Sequence, residues 1–126
     1  MIVSKILVVD NDIDARKLIA FALRFAGHQL KSASGIEECL SLAKQFNPEL
    51  ILLGDNLPDV NGIKPCRFLK SNDVTAGIPL VLLSLNSSTD YPSAEKTDEY
   101  DDVIFKGLSI DQLTYRVNLI VRKLQK

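Results

Sequence analysis

Acidic and amide side chains gather at two points of the 126-residue chain, Asp10-Asn11-Asp12 and Asp55-Asn56, each just past a short apolar run. Ser84 and Lys106 close two further apolar runs. Carboxylate and amide oxygens are what a hard divalent cation prefers, while hydroxyl and ammonium groups are hydrogen-bond donors. An Asp-Asn-Asp loop repels an anion unless a metal intervenes. It is the opposite of the glycine- and serine-rich turn that cradles a flavin or nucleotide phosphate. Whether these groups act together depends on the elements that carry them.

Ile6-Leu7-Val8-Val9, Leu50-Ile51-Leu52-Leu53, Leu80-Val81-Leu82-Leu83 and Val103-Ile104-Phe105 are short and apolar throughout, the pattern of strands buried on both faces. His28 to Ala33 reads as a weaker strand. Helical stripes alternate with them. The first is Ala15, Leu18, Ile19, Ala22, Leu23 and Ala26, stopped by Gly27. The second is Ile36, Cys39, Leu40 and Ala43, opened by a Ser34–Glu37 capping box. A third helix is predicted from about Gly62, with Pro65 tolerated in its first turn. The last carries Ile110, Leu113, Val117, Ile120, Val121 and Leu124 behind a Ser109–Gln112 box. Asn86 to Tyr100 is polar, contains Pro92 and shows no clean periodicity, so a full helix there is disfavoured.

Apolar strands alternating with amphipathic helices predict a doubly wound α/β protein of flavodoxin-like (βα)5 form, with a parallel sheet in strand order 2-1-3-4-5. That order opens a crevice at the carboxyl ends of strands 1 and 3. Asp10, Asn11 and Asp12, then Gly54, Asp55 and Asn56, then Ser84 and Lys106 all fall on this rim.

The bulk properties narrow the function. The length predicts one domain over residues 1–126. A net charge of -1 supplies no field for nucleic acid or an anionic membrane, and neither partner is expected. Cys39 and Cys66 match neither a disulfide framework nor a metal spacing and read as buried thiols. Met1 to Asp10 has no signal-peptide pattern and no apolar run is long enough for a membrane span, so a cytoplasmic location is expected.

The segments Lys5 to Asp12, Pro48 to Leu53, Leu57-Pro58-Asp59-Val60-Asn61-Gly62, Ile78-Pro79 through Ser84, and Phe105-Lys106 resemble, in order and spacing, the receiver domain of two-component response regulators. The resemblance covers essentially the whole chain. It implies a phosphorelay signalling domain in which an aspartate ending strand 3 attacks a phosphoryl donor. Mg²⁺ held by acids after strand 1 would offset the charge on the transferring group. Carried over residue by residue, Asp10 matches the first acid, Asn11 the second, Ser84 the hydroxyl and Lys106 the lysine. The acceptor lies four residues before the proline of the Leu-Pro pair, and that position is Gly54. Val103 stands where the family has its switch aromatic, and Gly107 where it usually has proline.

These departures predict a degenerate receiver that is not an enzyme. It would bind protein partners, a histidine kinase or another signalling protein, without phosphorylation at residue 54, as a monomer or weak homodimer. No cofactor is expected. Mg²⁺ binding through Asp10, Asn11 and a carbonyl near Asn56 would be weak or absent. The alternative is a receiver that accepts phosphate on the displaced Asp55 with Mg²⁺. Strand alternation aims that side chain to the opposite face unless a bulge re-aims it. Asp12 is preferred as a helix cap over a metal ligand. Lys106 is expected to pair with Asp10, and Asp98 to Asp102 to form a solvated loop. His28 is the lone histidine, which gives no support to a metal cluster or triad.

Overall fold

The structure, a computed structural model, describes residues 4–84, 100–105 and 107–124. Its strands are β1 (Lys5–Val9), β2 (Gln29–Ala33), β3 (Leu50–Gly54), β4 (Leu80–Ser84) and β5 (Asp102–Phe105). They form one parallel sheet in the order β2-β1-β3-β4-β5, as the alternation of strands and helices predicts. The described helices are α1 (Ile13–Phe25), α2 (Ile36–Phe46), α3 (Pro65–Ser71) and α4 (Ile110–Leu124).

The sheet separates two apolar layers, which is why its central strands are apolar at every position. Ile6, Val8, Leu50 and Leu52 face α1 and α4, where Leu23, Val117 and Val121 meet them. Leu7, Val9, Ile51 and Leu53 face α2 and α3 and pack with Cys39, Ala43 and Leu69. Cys39 is fully buried, and burial pushes its thiol up to about 12. Thiols react as thiolates. Alkylation of the native protein at pH 8 is therefore expected to leave Cys39 unmodified, with labelling only after denaturation. Mass spectrometry of Cys39-containing peptides checks this. Prompt native labelling would mean that α2 lifts from the sheet.

Local chemistry sets the element ends. Asp12 caps α1 by accepting the N–H groups of Asp14 (3.0 Å) and Ala15 (3.4 Å), as preferred from the sequence. Gly27 ends the helix at φ +102°, which favours glycine. Ser109 and Gln112 form the expected reciprocal capping box at α4.

Four expectations need correction. Leu18 is 53% exposed, with Ala20 in its place in the buried stripe of α1, and Ile110 and Leu124 likewise lie exposed at the two ends of the α4 stripe. The acid that reaches back to Ser34 is Glu38, at 2.7 Å from the Ser34 N–H, because Gly35 and not Ser34 is the N-cap residue of α2. The third helix begins at Pro65, because Asn61 and Gly62 (φ +52° and +81°) form a two-residue turn whose flanks Val60 and Ile63 exchange both backbone hydrogen bonds. Asp101 and Asp102 are not a solvated pair. Asp101 accepts from the Leu80 N–H (2.8 Å) and Lys70 (3.2 Å), and Asp102 accepts from Arg116 (3.4 Å). The expectation for Asn86 to Glu99 lies outside the described residues, while Tyr100 is buried.

Candidate functional site

Strand alternation carries the side chains that meet at the carboxyl end of the sheet. Asp10 continues the Ile6–Val8 face of β1, and Gly54 continues the Leu50–Leu52 face of β3. The pairing of Val9 with Leu53 sets the two ends level. Asp10 is fully buried. One carboxylate oxygen accepts the Asp12 N–H (2.9 Å), its carbonyl accepts from Arg16 (2.7 Å), and its own N–H donates to the Ala33 carbonyl (3.1 Å). The residue is held from three sides.

Its other carboxylate oxygen points at Gly54. A Cβ built on Gly54 would stand 2.6 Å from that oxygen, 2.8 Å from the carboxyl carbon, and 2.9 Å from the side-chain oxygen of Asn56. The space in which a residue 54 side chain would begin is filled by Asp10 and Asn56. Across the mouth of the crevice, the Asn11 amide nitrogen donates to the Asn56 backbone carbonyl at 3.4 Å, linking the loops after β1 and β3. Asn11 and Asn56 are exposed.

The remaining rim residues lie around this core. Ser84 is fully buried at the end of β4 and pairs in register with Phe105. Val103 is half-buried and packs on the α2/α3 layer, with its carbonyl accepting from Arg116 at 3.0 Å. Asp55 is half-buried and shares the Leu53 side of β3, where both line a cavity of about 220 Å³ with Leu57, Asp59, Lys64 and Tyr100. Lys106 and its expected pairing with Asp10 lie outside the described residues. Gly107 is shaped by Phe105, whose ring carbons would stand 2.5 Å from any Cβ there.

Arg16 was not singled out from the sequence. The available signal was its position four residues after a capping aspartate, which lets a long side chain fold back over the end of β1. The part played by the Asn56 side chain was equally hidden, since spacing says nothing of a loop rotamer. Among the described residues, no three His, Cys, Asp or Glu side chains are grouped to hold a metal ion. No described helix is long and apolar enough to cross a membrane.

Comparison with known proteins adds to this geometry. The family profile of the response regulator receiver domain matches residues 6–118. The phosphate regulon transcriptional regulatory protein PhoB of Pseudomonas aeruginosa is 31% identical over 123 residues, covering 98% of this chain and 54% of that protein. The DNA-binding response regulator MtrA of Mycobacterium tuberculosis is 29% identical over 119 residues, covering 94% of this chain and 51% of its own length. The chain thus spans about half the length of these relatives. Their names speak of transcription and DNA, so they lend no support to the expectation that nucleic acid plays no part. A response regulator from Desulfuromonas acetoxidans superposes with a TM-score of 0.81 at 26% identity, over 96% of this chain and 98% of that one. The chemotaxis response regulator CheY4 of Vibrio cholerae shares the fold, with a TM-score of 0.78 at 19% identity over 94% of this chain and 99% of that one. The chain belongs to the response regulator receiver domain family of two-component signalling proteins.

Proposed function

We propose that this receiver domain signals by protein–protein contact and accepts no phosphoryl group at residue 54. The observation that carries this reading is the placement of the Asp10 carboxylate, 2.6 Å from where a side chain at residue 54 would start. The volume in which an acceptor carboxylate would project is already occupied by a buried, hydrogen-bonded acid.

The residues present do not fit the divalent cation that the family implies. The Asp10 carboxylate lies against Gly54 in the crevice core, and one of its oxygens is committed to the Asp12 N–H. Asp12 is turned to the N–H groups of α1. The Asn56 carbonyl, a candidate ligand, receives the Asn11 amide instead. A neutral hydrogen bond thus stands where a hard cation would need oxygen from both loops. Asp55 sits on the Leu53 side of β3 and not on the side of Asp10, which weighs against a displaced acceptor.

The partner is a protein of the same signalling class, a histidine kinase or another signalling protein, bound through receiver surfaces. Half-burial of Val103, in place of a swinging aromatic, fits a domain held in one state.

Incubation with Mg²⁺ and acetyl phosphate or phosphoramidate, followed by intact-mass measurement, tests the reading. The mass is expected to stay unchanged. A phosphoryl adduct would overturn it, and loss of that adduct in Asp55→Asn would assign the displaced acceptor.

A further inference from the structure

Helix α1 is apolar on two sides. Its inner stripe, Ile19, Ala20, Ala22 and Leu23, is buried in the core. Its outer side also carries large apolar groups, with Leu18 53%, Phe21 57% and Phe25 88% exposed. The Phe21 and Phe25 ring centroids lie 6.4 Å apart at a tilt of 41°, so the two rings make one surface. With exposed Asp14 these residues run 14, 18, 21, 25, the alternating four- and three-residue spacing of a coiled-coil seam.

Core packing does not require these side chains, because the helix is already anchored from its other stripe. A lone exposed phenylalanine would call for no explanation, but a continuous seam of three large groups does.

We propose that this outer face of α1 is a self-association surface, on which a second copy of the chain packs its own α1 antiparallel about a two-fold axis. Area and charge both point to this occupant. Three side chains more than half exposed offer roughly 400 Å² of apolar surface per copy. Two copies with their flanking residues reach roughly 1,200 Å² in total, the lower limit of specific interfaces. The charges on the face are mixed, Asp14 at one end and Lys17 and Arg24 along one flank, so no strongly charged partner is selected. A parallel pairing would set Asp14 against Asp14 and Lys17 beside Lys17. The antiparallel pairing brings Asp14 level with the Arg24–Phe25 end of the second copy, Leu18 level with Phe21, and Lys17 near the Phe21 ring, a cation–π geometry. A two-fold axis satisfies both ends at once and closes the assembly at two copies.

Sedimentation equilibrium of the whole chain, from a few µM to about 500 µM, tests the proposal. The 14.0 kDa chain is expected to approach twice its mass with a dissociation constant of about 10–100 µM. Phe25→Asp is expected to weaken association at least about tenfold with an unchanged melting temperature, since the residue is almost fully exposed. Tyr115→Asp alters the 65% exposed aromatic of α4 and is expected to associate as the parent does. Three results would overturn the proposal. They are a monomer at the highest concentration, association that survives Phe25→Asp, and open-ended growth beyond two copies. A monomer whose α1 face instead binds the helices of a signalling partner belongs to the first.

Discussion

Gly54→Ala is expected to destabilise this protein by about 1–2 kcal/mol, even though alanine is the better strand residue. Gly54 has no positive φ, so its backbone does not demand glycine. Replacing a strand glycine by alanine gains roughly 0.5–1 kcal/mol when there is room. Here the new Cβ would meet the Asp10 carboxylate at 2.6–2.8 Å, well inside contact distance. Asn56 is exposed and can turn away at little cost. Asp10 cannot, because it is fully buried, its carboxylate accepts the Asp12 N–H, and its backbone is fixed by Arg16 and Ala33. Overpacking of this kind costs roughly 1–3 kcal/mol, and disturbing a hydrogen bond to a charged acceptor adds roughly 1.5–3 kcal/mol if the bond is lost outright. The penalty therefore exceeds the gain.

The sign should reverse once Asp10 is shortened. In an Asp10→Ala background, Gly54→Ala is expected to stabilise by about 0.5–1 kcal/mol. The resulting coupling of about 1.5–3 kcal/mol lies in the upper part of the range for neighbouring residues. Urea denaturation of the four proteins measures it. Gly54→Asp alone should be worse than Gly54→Ala, because it sets a second carboxylate against a buried one. It is consequently not a simple restoration of an acceptor. If Gly54→Ala stabilises the parent protein, Asp10 has a second position available and the crevice is not closed by that side chain.

The part of this site that could be read from the sequence is the part that strand period and order control. Apolar runs ending in polar residues placed Asp10, Gly54 and Ser84 at the carboxyl ends of β1, β3 and β4, and alternation put Asp55 on the side of Leu53. What spacing cannot encode is a rotamer. That the Asp10 carboxylate lies across Gly54, and that the Asn11 amide reaches the Asn56 carbonyl, depend on χ angles and loop paths chosen by tertiary contacts. The same limit explains Leu18. Its position fits the edge of a helical stripe, and only the packed structure shows that the smaller Ala20 faces the sheet. Asp101 and Asp102 read as loop residues because their partners, Lys70 and Arg116, are distant in sequence. The Ser34 contact shifted from Glu37 to Glu38 because a one-residue change in the cap moves every later position of the box.

His28→Ala is expected to cost about 3–4 kcal/mol, the larger of the two effects, although His28 is far from the crevice. The sequence offered this residue only as a lone histidine after a helix-ending glycine. In the structure it is 4% exposed and bonded through both ring nitrogens. The Ser4 N–H donates to Nδ1 at 3.1 Å, and a backbone N–H can only donate, so Nδ1 must be the acceptor. The proton of the neutral ring then sits on Nε2, which donates to Oδ1 of Asn118 at 2.8 Å. One side chain thus ties the start of β1 and the entry to β2 to the middle of α4.

Removing the ring acts twice. It leaves a cavity beneath α4, and it strands the Ser4 N–H, whose residue is itself 2% exposed. Large-to-small substitution accounts for roughly 2–3 kcal/mol, and an unsatisfied buried donor for roughly 1–3 kcal/mol. The two overlap if water enters the cavity, which sets the expected total below their sum. Asn118→Ala removes only the half-buried acceptor of the Nε2 proton and should cost about 1–2 kcal/mol. Urea denaturation of both variants separates packing from hydrogen bonding. A loss below about 1 kcal/mol for His28→Ala would show that water replaces the ring at no cost. A loss equal to that of Asn118→Ala would place the whole effect in the Asn118 bond and none in the Ser4 contact. If the expected ordering holds, the position of α4 on the sheet is set by a neutral polar bridge at the amino end of the strands, independent of the crevice at their other end.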